Sequence, residues 1–384
     1  MNMKKKIFTA LGLMSGTSMD GVDISIIKSD GYDEFSSVFD EYYEFNDELF
    51  KELVHLREKI LNKSDLNNFL KEIRLIENKF TLFNSKIIND ILKKRSEKID
   101  LVGFHGQTIL HLPNQMISKQ IGDGKLLSQE TKCLVVNNFR QNDLIEGGYG
   151  APLTPIFHKL ISKIISNKFK IDFPVSIINI GGITNVTQIV NKNNQLEKNL
   201  YAYDIAPGNC LIDEWIRIKS RKKFDYDGNI ALSGKVNDLI YNQAIENFPI
   251  NSFEKSLDVK DFDISFVKGL SIEDGCATLT KYTAFLISEG LKKIDYLNKI
   301  NTRTYLVSGG GRKNKKLIKD INFFLNEQNI TLMNIDDFGL DGDFIESQAF
   351  AYLAIRSFLK LPISFPSTTR CLKVVTGGEL IKNF

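Results

Sequence analysis

Three short turns in the chain carry the residue types needed to hold phosphate oxygens: SGTSMDG at 15–21, IGGIT at 180–184 and SGGG at 308–311. Glycine, lacking a Cβ, lets backbone N–H groups approach and converge on an anion. Each turn directly follows an apolar run. None is a GxxxxGK[ST] loop, and the GxGxxG fingerprint is absent. Taken singly, any of them serves equally well as a plain hairpin connector. The first offers more than glycine. Thr17 and Ser18 carry hydroxyl donors, while Asp20 and Asp23 are carboxylates suited to Mg²⁺, directly or through water. Asp20 equally suits a turn-stabilising aspartate.

Two further carboxylates are placed to do proton chemistry. Asp204 stands in AYDIAPGN, where a short apolar strand breaks into Pro207-Gly208, and there it could take a proton from a hydroxyl or a water. A helix N-terminal or turn aspartate is the structural alternative. Glu346, in GDFIES, opens the last long helix, where an acid is also favoured by the helix dipole. His105 and His111 in GFHGQTILH do not have the spacing of a helical metal pair, and hydrogen bonding suits them better. Gln107 and Thr108 are candidates to contact a polar substrate, and Arg140 to bind an anionic group.

The elements that must position these residues alternate between strands and helices. Residues 5–14 and VDISIIKSD form a hairpin around the first glycine turn. Proline-free 45–97 predicts two or more long helices, and IDLVGFHG (99–106) and CLVVNNF (133–139) are strands. A helix follows at about 156–167. The second half restarts the scheme with strand, glycine turn and strand over 174–190. The helix after Gly208 is expected to bury Leu211, Ile212, Trp215 and Ile218. Helix 276–294, strand 304–308, a helix from about Lys313 and a helix over 344–359 complete the pattern. Both halves opening with a glycine-turned hairpin suggests a duplicated α/β domain with a cleft between the copies. We expect a first domain over 1–150 and a second over 151–384, with the helix near 344–360 packing back on the first.

Composition excludes several function classes. At 384 residues the chain is too long for a single core. The 50 Lys+Arg against 47 Asp+Glu leave +3, too little for a dedicated nucleic-acid binder. The 27 Phe and 12 Tyr exclude intrinsic disorder. No apolar run reaches the roughly 20 residues of a spanning helix. Lys4-Lys5-Lys6 before IFTALGLM resembles a targeting signal, but Gly12 interrupts the apolar run, and a first β-strand explains it better. Four scattered cysteines with no CxxC pair point to reduced thiols, hence a cytoplasmic location.

Taken in order, GLMSGTSMDGVD (12–23), GFHGQTILH (103–111), QIGDG (120–124), NNFRQNDL (137–144) and GGYGAPLTPIFH (147–158) resemble the anhydro-N-acetylmuramic acid kinases. NIGGITNVT (179–187), YDIAPGNCLIDEW (203–215), SGGGRKN (308–314) and DGDFIESQAFAYLA (341–354) continue the resemblance over almost the whole chain. The resemblance implies an α/β fold of two related actin-like (ribonuclease H-like) domains around a deep interdomain cleft. It implies an ATP- and Mg²⁺-dependent kinase that hydrolyses the 1,6-anhydro bridge of 1,6-anhydro-N-acetylmuramic acid and phosphorylates O6, giving N-acetylmuramate 6-phosphate in cell-wall turnover. The nucleotide would lie on Gly16, Thr17, Ser18, Met19, Asp20, Gly21, Val22 and Asp23, with Gly181, Gly182, Gly309, Gly310 and Gly311. Asp204 would be the catalytic base and Glu346 a helper positioning water. A homodimer is the implied assembly, with no nucleic-acid or membrane partner.

Two segments depart from the family pattern. Its D-T-G-P-G-N is here Asp204-Ile205-Ala206-Pro207-Gly208-Asn209, and its P-S-x-T-G-A is Pro366-Ser367-Thr368-Thr369-Arg370-Cys371. These changes leave open a kinase for a related anhydro-sugar such as levoglucosan, or a non-catalytic nucleotide-binding module of the same superfamily.

Overall fold

Alternating apolar residues in FTALGLM and GVDISIIKS make β1 (Phe8–Met14) and β2 (Gly21–Ser29), paired antiparallel about the first glycine turn. The computed structural model describes residues 6–16, 18–192, 199–247, 257, 259–326 and 330–384, so Thr17 lies outside the described residues. The chain continues through β3 (Phe35–Glu44), α1 (Asp47–Lys59), α2 (Leu70–Lys94), β4 (Leu101–Phe104), the hairpin β5 (Gln107–Leu112) and β6 (Ile117–Ile121), α3 (Gly124–Thr131), β7 (Val135–Asn137) and α4 (Pro155–Phe169). Next come β8 (Val175–Ile180), β9 (Ile183–Ile189), β10 (Leu200–Pro207), α5 (Cys210–Lys219), α6 (Ile272–Asn298), β11 (Thr304–Ser308), α7 (Lys315–Leu325) and β12 (Thr331–Asn334). Helix α8 (Ile345–Phe358) and β13 (Glu379–Ile381) close the series, with shorter helical turns between.

Contacts divide the chain into two compact units, residues 1–161 with 344–384, and residues 162–343. The first boundary falls inside α4, eleven residues past the expected 150/151; Phe157 of that helix packs on Phe35 and Tyr352 of the first unit. The second falls at 343/344, so the whole C-terminal segment, not only its helix, belongs to the first unit.

In the first unit the sheet order is β13-β7-β4-β1-β2-β3, and in the second β10-β9-β8-β11-β12. Aligning β1 with β8 superposes the two schemes. Each has an antiparallel three-stranded meander, with two further strands added parallel to its first strand. The duplication expected from the hairpins is therefore present as a repeated ribonuclease H-like topology. β3 was not anticipated; its FSSVFDEYYE is largely solvent-facing, as an outer strand is.

Helices α1 and α2 cover one face of the first sheet. Asn46 caps α1 by accepting from the Leu49 amide at 2.8 Å, and Leu49, Leu53 and Leu56 recur at helical spacing on its buried side. They join Phe80, Leu11, Leu13, Ile24 and Val102 in one core. Helix α8 lies across β1, β2 and β4 on the other face. It comes so close that a Cβ on Gly12 would stand 2.1 Å from the Ser347 carbonyl oxygen, and one on Gly103 2.3 Å from that of Phe350. Ala349, Ala351 and Ala354 are the small residues that permit this approach, all completely buried.

The second unit's core joins Ile178, Ile180, Tyr305 and Val307 to helices α5, α6 and α7. On α5 the expectation needs one correction. Leu211, Ile212 and Trp215 are buried, but Ile216 replaces Ile218, which is 60% exposed. The stripe 211, 212, 215, 216 follows the side on which Trp215 meets Gly275 of α6.

Candidate functional site

The first glycine turn is braced from beneath. Ser15 is buried, its Oγ 2.8 Å from the Gly21 carbonyl and 2.6 Å from Gln107 Oε1, while Gln107 Nε2 donates to the Gly16 carbonyl at 3.1 Å. Gln107 is thus spent on shaping the turn. Met19 takes a left-handed conformation (φ 57°), and its side chain, like that of Val22, sits in the core. These two residues offer the turn's exterior only their backbone. Ser18 is exposed, and its hydroxyl donates to Asp20 Oδ1 at 2.5 Å. A Cβ on Gly21 would strike the Tyr42 ring at 2.5 Å. Burial and the neighbouring carboxylates of Asp20, Glu44 and Asp23 push the Tyr42 phenol above its usual range, and it also hydrogen-bonds Asp20. Thr108 Oγ1 accepts from Gln120 at 3.2 Å.

A second group in the same unit joins His105, Arg140 and Glu346. His105 follows β4; its Nδ1 lies 2.8 Å from the Gly106 carbonyl, and Arg140 Nε donates to its Nε2 at 3.1 Å. An arginine donor fixes Nε2 as the acceptor, so the ring is neutral and protonated at Nδ1. Burial and the adjacent Arg140 cation hold the His105 pKa well below the usual imidazole value. Its ring also rests on Phe350 of α8, with centroids 4.5 Å apart. Both nitrogens are engaged within the protein, so His105 orients Arg140. Burial pushes the Arg140 pKa down to about 10, opposed by the charges of Glu346 and Asp143. Glu346, in the first turn of α8, is raised by burial, and Arg140 opposes the rise.

Sequence reasoning missed Asp143, whose signal lay unused in NNFRQNDL. It accepts from the Gly150 amide at 2.7 Å and from Thr369 Oγ1 at 2.5 Å. It therefore ties the GGYGAPL loop to the PSTTRC segment. Arg370 in that segment occupies a left-handed position (φ 66°), and its Nη1 donates to the Ser367 carbonyl.

In the second unit, Gly181 and Gly182 form the tight turn between β8 and β9. Their carbonyls accept from the amides of Asn209 and Gly208, at 2.7 and 2.8 Å. A Cβ on Gly208 would lie 2.2 Å from the Gly181 oxygen, so this close packing requires glycine there. Asp204 stands on β10 opposite Asn185, next to a bulge at Ile205. The residue is half-buried, and its carboxylate accepts from the Leu257 amide at 3.0 Å. The altered residues beside it turn inward. Ile205 is 5% exposed, packed on Gly290 of α6, and Ala206 is 1% exposed. The departure from D-T-G thus falls in the core.

The Gly309–Gly311 turn follows β11. Gly309 (φ 77°) and Gly311 press against Asn179 and Ile180. Three glycines, one per turn, have no such reason. Among the described residues, the chain neighbours of each glycine apart, nothing lies within 4 Å of a Cβ on Gly16; one on Gly181 meets only the Ile183 oxygen at 3.6 Å, and one on Gly310 only Asn209 Nδ2 at 3.7 Å. None of the three has a positive φ. Each open glycine leaves room beside its own turn for a bound group to approach the backbone. Gly16, Ser18 to Asp23, His105, Gln107, Thr108, Arg140 and Glu346 belong to the first unit; Gly181, Gly182, Asp204 and Gly309 to Gly311 belong to the second.

The family model for anhydro-N-acetylmuramic acid kinase matches residues 8–382. A protein of that name from Pelagibacter ubique is 50% identical over 382 residues, covering 99% of this chain and 100% of its own length. Another from Brucella canis is 38% identical, covering 97% of this chain and 98% of its own length. Among solved structures, a ROK family glucokinase from Streptomyces griseus in complex with glucose and AMPPNP aligns at TM-score 0.38 and 11% identity, over 90% of this chain and 99% of that one. From its first strand to its last, the chain belongs to the anhydro-N-acetylmuramic acid kinase family.

Proposed function

We propose that the chain hydrolyses the 1,6-anhydro bridge of 1,6-anhydro-N-acetylmuramic acid and transfers the ATP γ-phosphoryl group to the freed O6, giving N-acetylmuramate 6-phosphate and ADP. The observation that carries this reading is the match to named kinases along the full length of both chains. Asp204, a half-buried acid on β10 beside a bulge, supports it.

In this reading Asp204 takes a proton from the water whose oxygen bonds to C1 as the C1–O6 bond breaks. The released O6 then bonds to the γ-phosphorus while the bond to the β-phosphate oxygen breaks. Glu346 has the lesser role of orienting the water, and Arg140, held by His105, binds an anionic group. The backbone at Gly16, Gly181 and Gly310 approaches the phosphates, with Ser18 as a hydroxyl donor. Magnesium, when bound, neutralises phosphate charge. The donors present suit it. Among the described residues no group of three or more His, Cys, Asp or Glu could hold a metal alone. Mg²⁺ is commonly held by one or two carboxylates together with phosphates and water, and Asp20 is the residue proposed to hold it. No helix among the described residues is long and apolar enough to cross a membrane. A cytoplasmic homodimer is the proposed state.

The test is direct. Purified protein with Mg-ATP should convert the anhydro sugar to a product heavier by one water and one phosphoryl group, with ADP formed in equal amount. Levoglucosan in parallel should react far more slowly. An unchanged anhydro sugar, in conditions where a known kinase converts it, would refute the reading.

A further inference from the structure

Arg312 follows the Gly309–Gly311 turn, and its side chain is only 3% exposed. Every arm of the guanidinium is used. Nε donates to Asp336 at 3.0 Å, Nη2 to Asp341 at 3.1 Å, and Nη1 both to Asp343 at 2.5 Å and to the Gly309 carbonyl at 3.1 Å. The backbone adds two links: Gly309 N–H donates to the Gly342 carbonyl at 3.0 Å, and Gly342 N–H to Asp336 at 2.8 Å. A Cβ on Gly342 would lie 2.6 Å from Arg312 Nε, so glycine is required for the loop to lie against the guanidinium. Lys313 pairs with Asp343 as well. Three carboxylates of the 336–343 loop thus converge on one arginine that grips the first residue of the glycine turn.

An arginine buried among three carboxylates is a costly arrangement unless its geometry serves something. A planar guanidinium with fixed donors holds several acceptors in one defined relation, which lysine cannot do. We propose that Arg312 is a positioning residue for nucleotide binding: it fixes the Gly309 peptide, and with it the open face at Gly310, in the orientation the nucleotide meets. This rests on the reading that the Gly309–Gly311 turn holds nucleotide.

The experiment measures the Kd of AMPPNP with Mg²⁺ by calorimetry, and the KM values for ATP and for the anhydro sugar, in Arg312→Ala, Arg312→Lys and Asp341→Asn proteins, with thermal melts alongside. Arg312→Ala should weaken AMPPNP at least tenfold and raise the ATP KM in parallel, leaving the sugar KM within twofold. Arg312→Lys should fall between Ala and the parent, and Asp341→Asn should weaken AMPPNP two- to threefold. If Arg312→Ala does not fold, the other two variants read the same quantity. AMPPNP affinity within twofold of the parent in the folded variants overturns the proposal, and so does an equal rise in both KM values. Gly310→Ala separates the two failures. If it weakens AMPPNP and the Arg312 variants do not, only the positioning role falls; if neither does, the nucleotide reading of the turn falls with it.

Discussion

Asp204 and Asp213 stand nine residues apart and illustrate what a carboxylate's surroundings decide. Asp204 keeps part of its surface open, beside a bulge. Replacing it with Asn keeps the shape but removes the base, so turnover should fall by about 10²–10⁴ with the melting temperature nearly unchanged. Steady-state kinetics with a melt on the same preparation checks this, and near-normal turnover would remove Asp204 from the chemistry. Asp213, in the first turn of α5, is raised to about 7 by burial and by Asp225, against the pull of Arg217. The carboxyl keeps its proton in the folded chain up to about pH 7 and releases it near pH 4 when unfolded. Below pH 4 both states hold it, so nothing is lost; between about 4 and 7 stability declines as pH rises, and above 7 the loss is complete. Asp213→Asn should therefore add little at pH 4 and stabilise at pH 8, by no more than about 4 kcal/mol and less for a group that keeps some contact with water. Urea titrations at the two pH values decide it.

Elements differ in how plainly their residues announce them. The β1–β2 and β8–β9 hairpins were legible because their apolar runs bracket glycine turns, and α1 because Leu49, Leu53 and Leu56 recur at helical spacing. β3 was not, since its exposed face carries as many polar residues as a loop. Ile216 and Ile218 lie on two plausible stripes of α5, and only the partner helix decides between them. The glycines make a similar contrast that sequence cannot draw. Gly12→Ala would drive a methyl group into the backbone of α8 and should cost at least about 1–3 kcal/mol in urea unfolding. Gly181→Ala and Gly310→Ala meet no such obstacle; they should unfold like the parent within about 0.5 kcal/mol and instead raise the ATP KM. Equal destabilisation by all three would show that the open faces are not spare room for a ligand. At the site itself the motifs pointed to the turns, Asp204 and Glu346. The supports (Ser15, Asp143 and Arg312) act through contacts between distant segments, which spacing along a chain does not reveal.

For the molecule as a whole, two separate cores built on one strand order explain why composition could indicate two domains while placing their limits poorly. The expected boundary stood at 150/151, whereas contacts divide the chain within α4. Cys133, Cys210, Cys276 and Cys371 are all buried, and burial raises every one of their thiols, those of Cys210 and Cys371 to about 11. A disulfide reagent such as DTNB should accordingly find no fast-reacting thiol in the native protein and four after denaturation. A thiol titrating within minutes under native conditions would show that one of the cores opens locally.

The sheet of the first unit has its second face covered by α8 and its edge extended by β13, both drawn from residues 344–384. Residues 162–343 form an uninterrupted stretch. During synthesis the ribosome therefore finishes the second unit before it delivers the helix that shields Gly12 and Gly103. Until then the earlier-made half of the nascent chain holds an uncovered apolar surface, a natural client for chaperones, and a stop codon near 343 would strand it in that state.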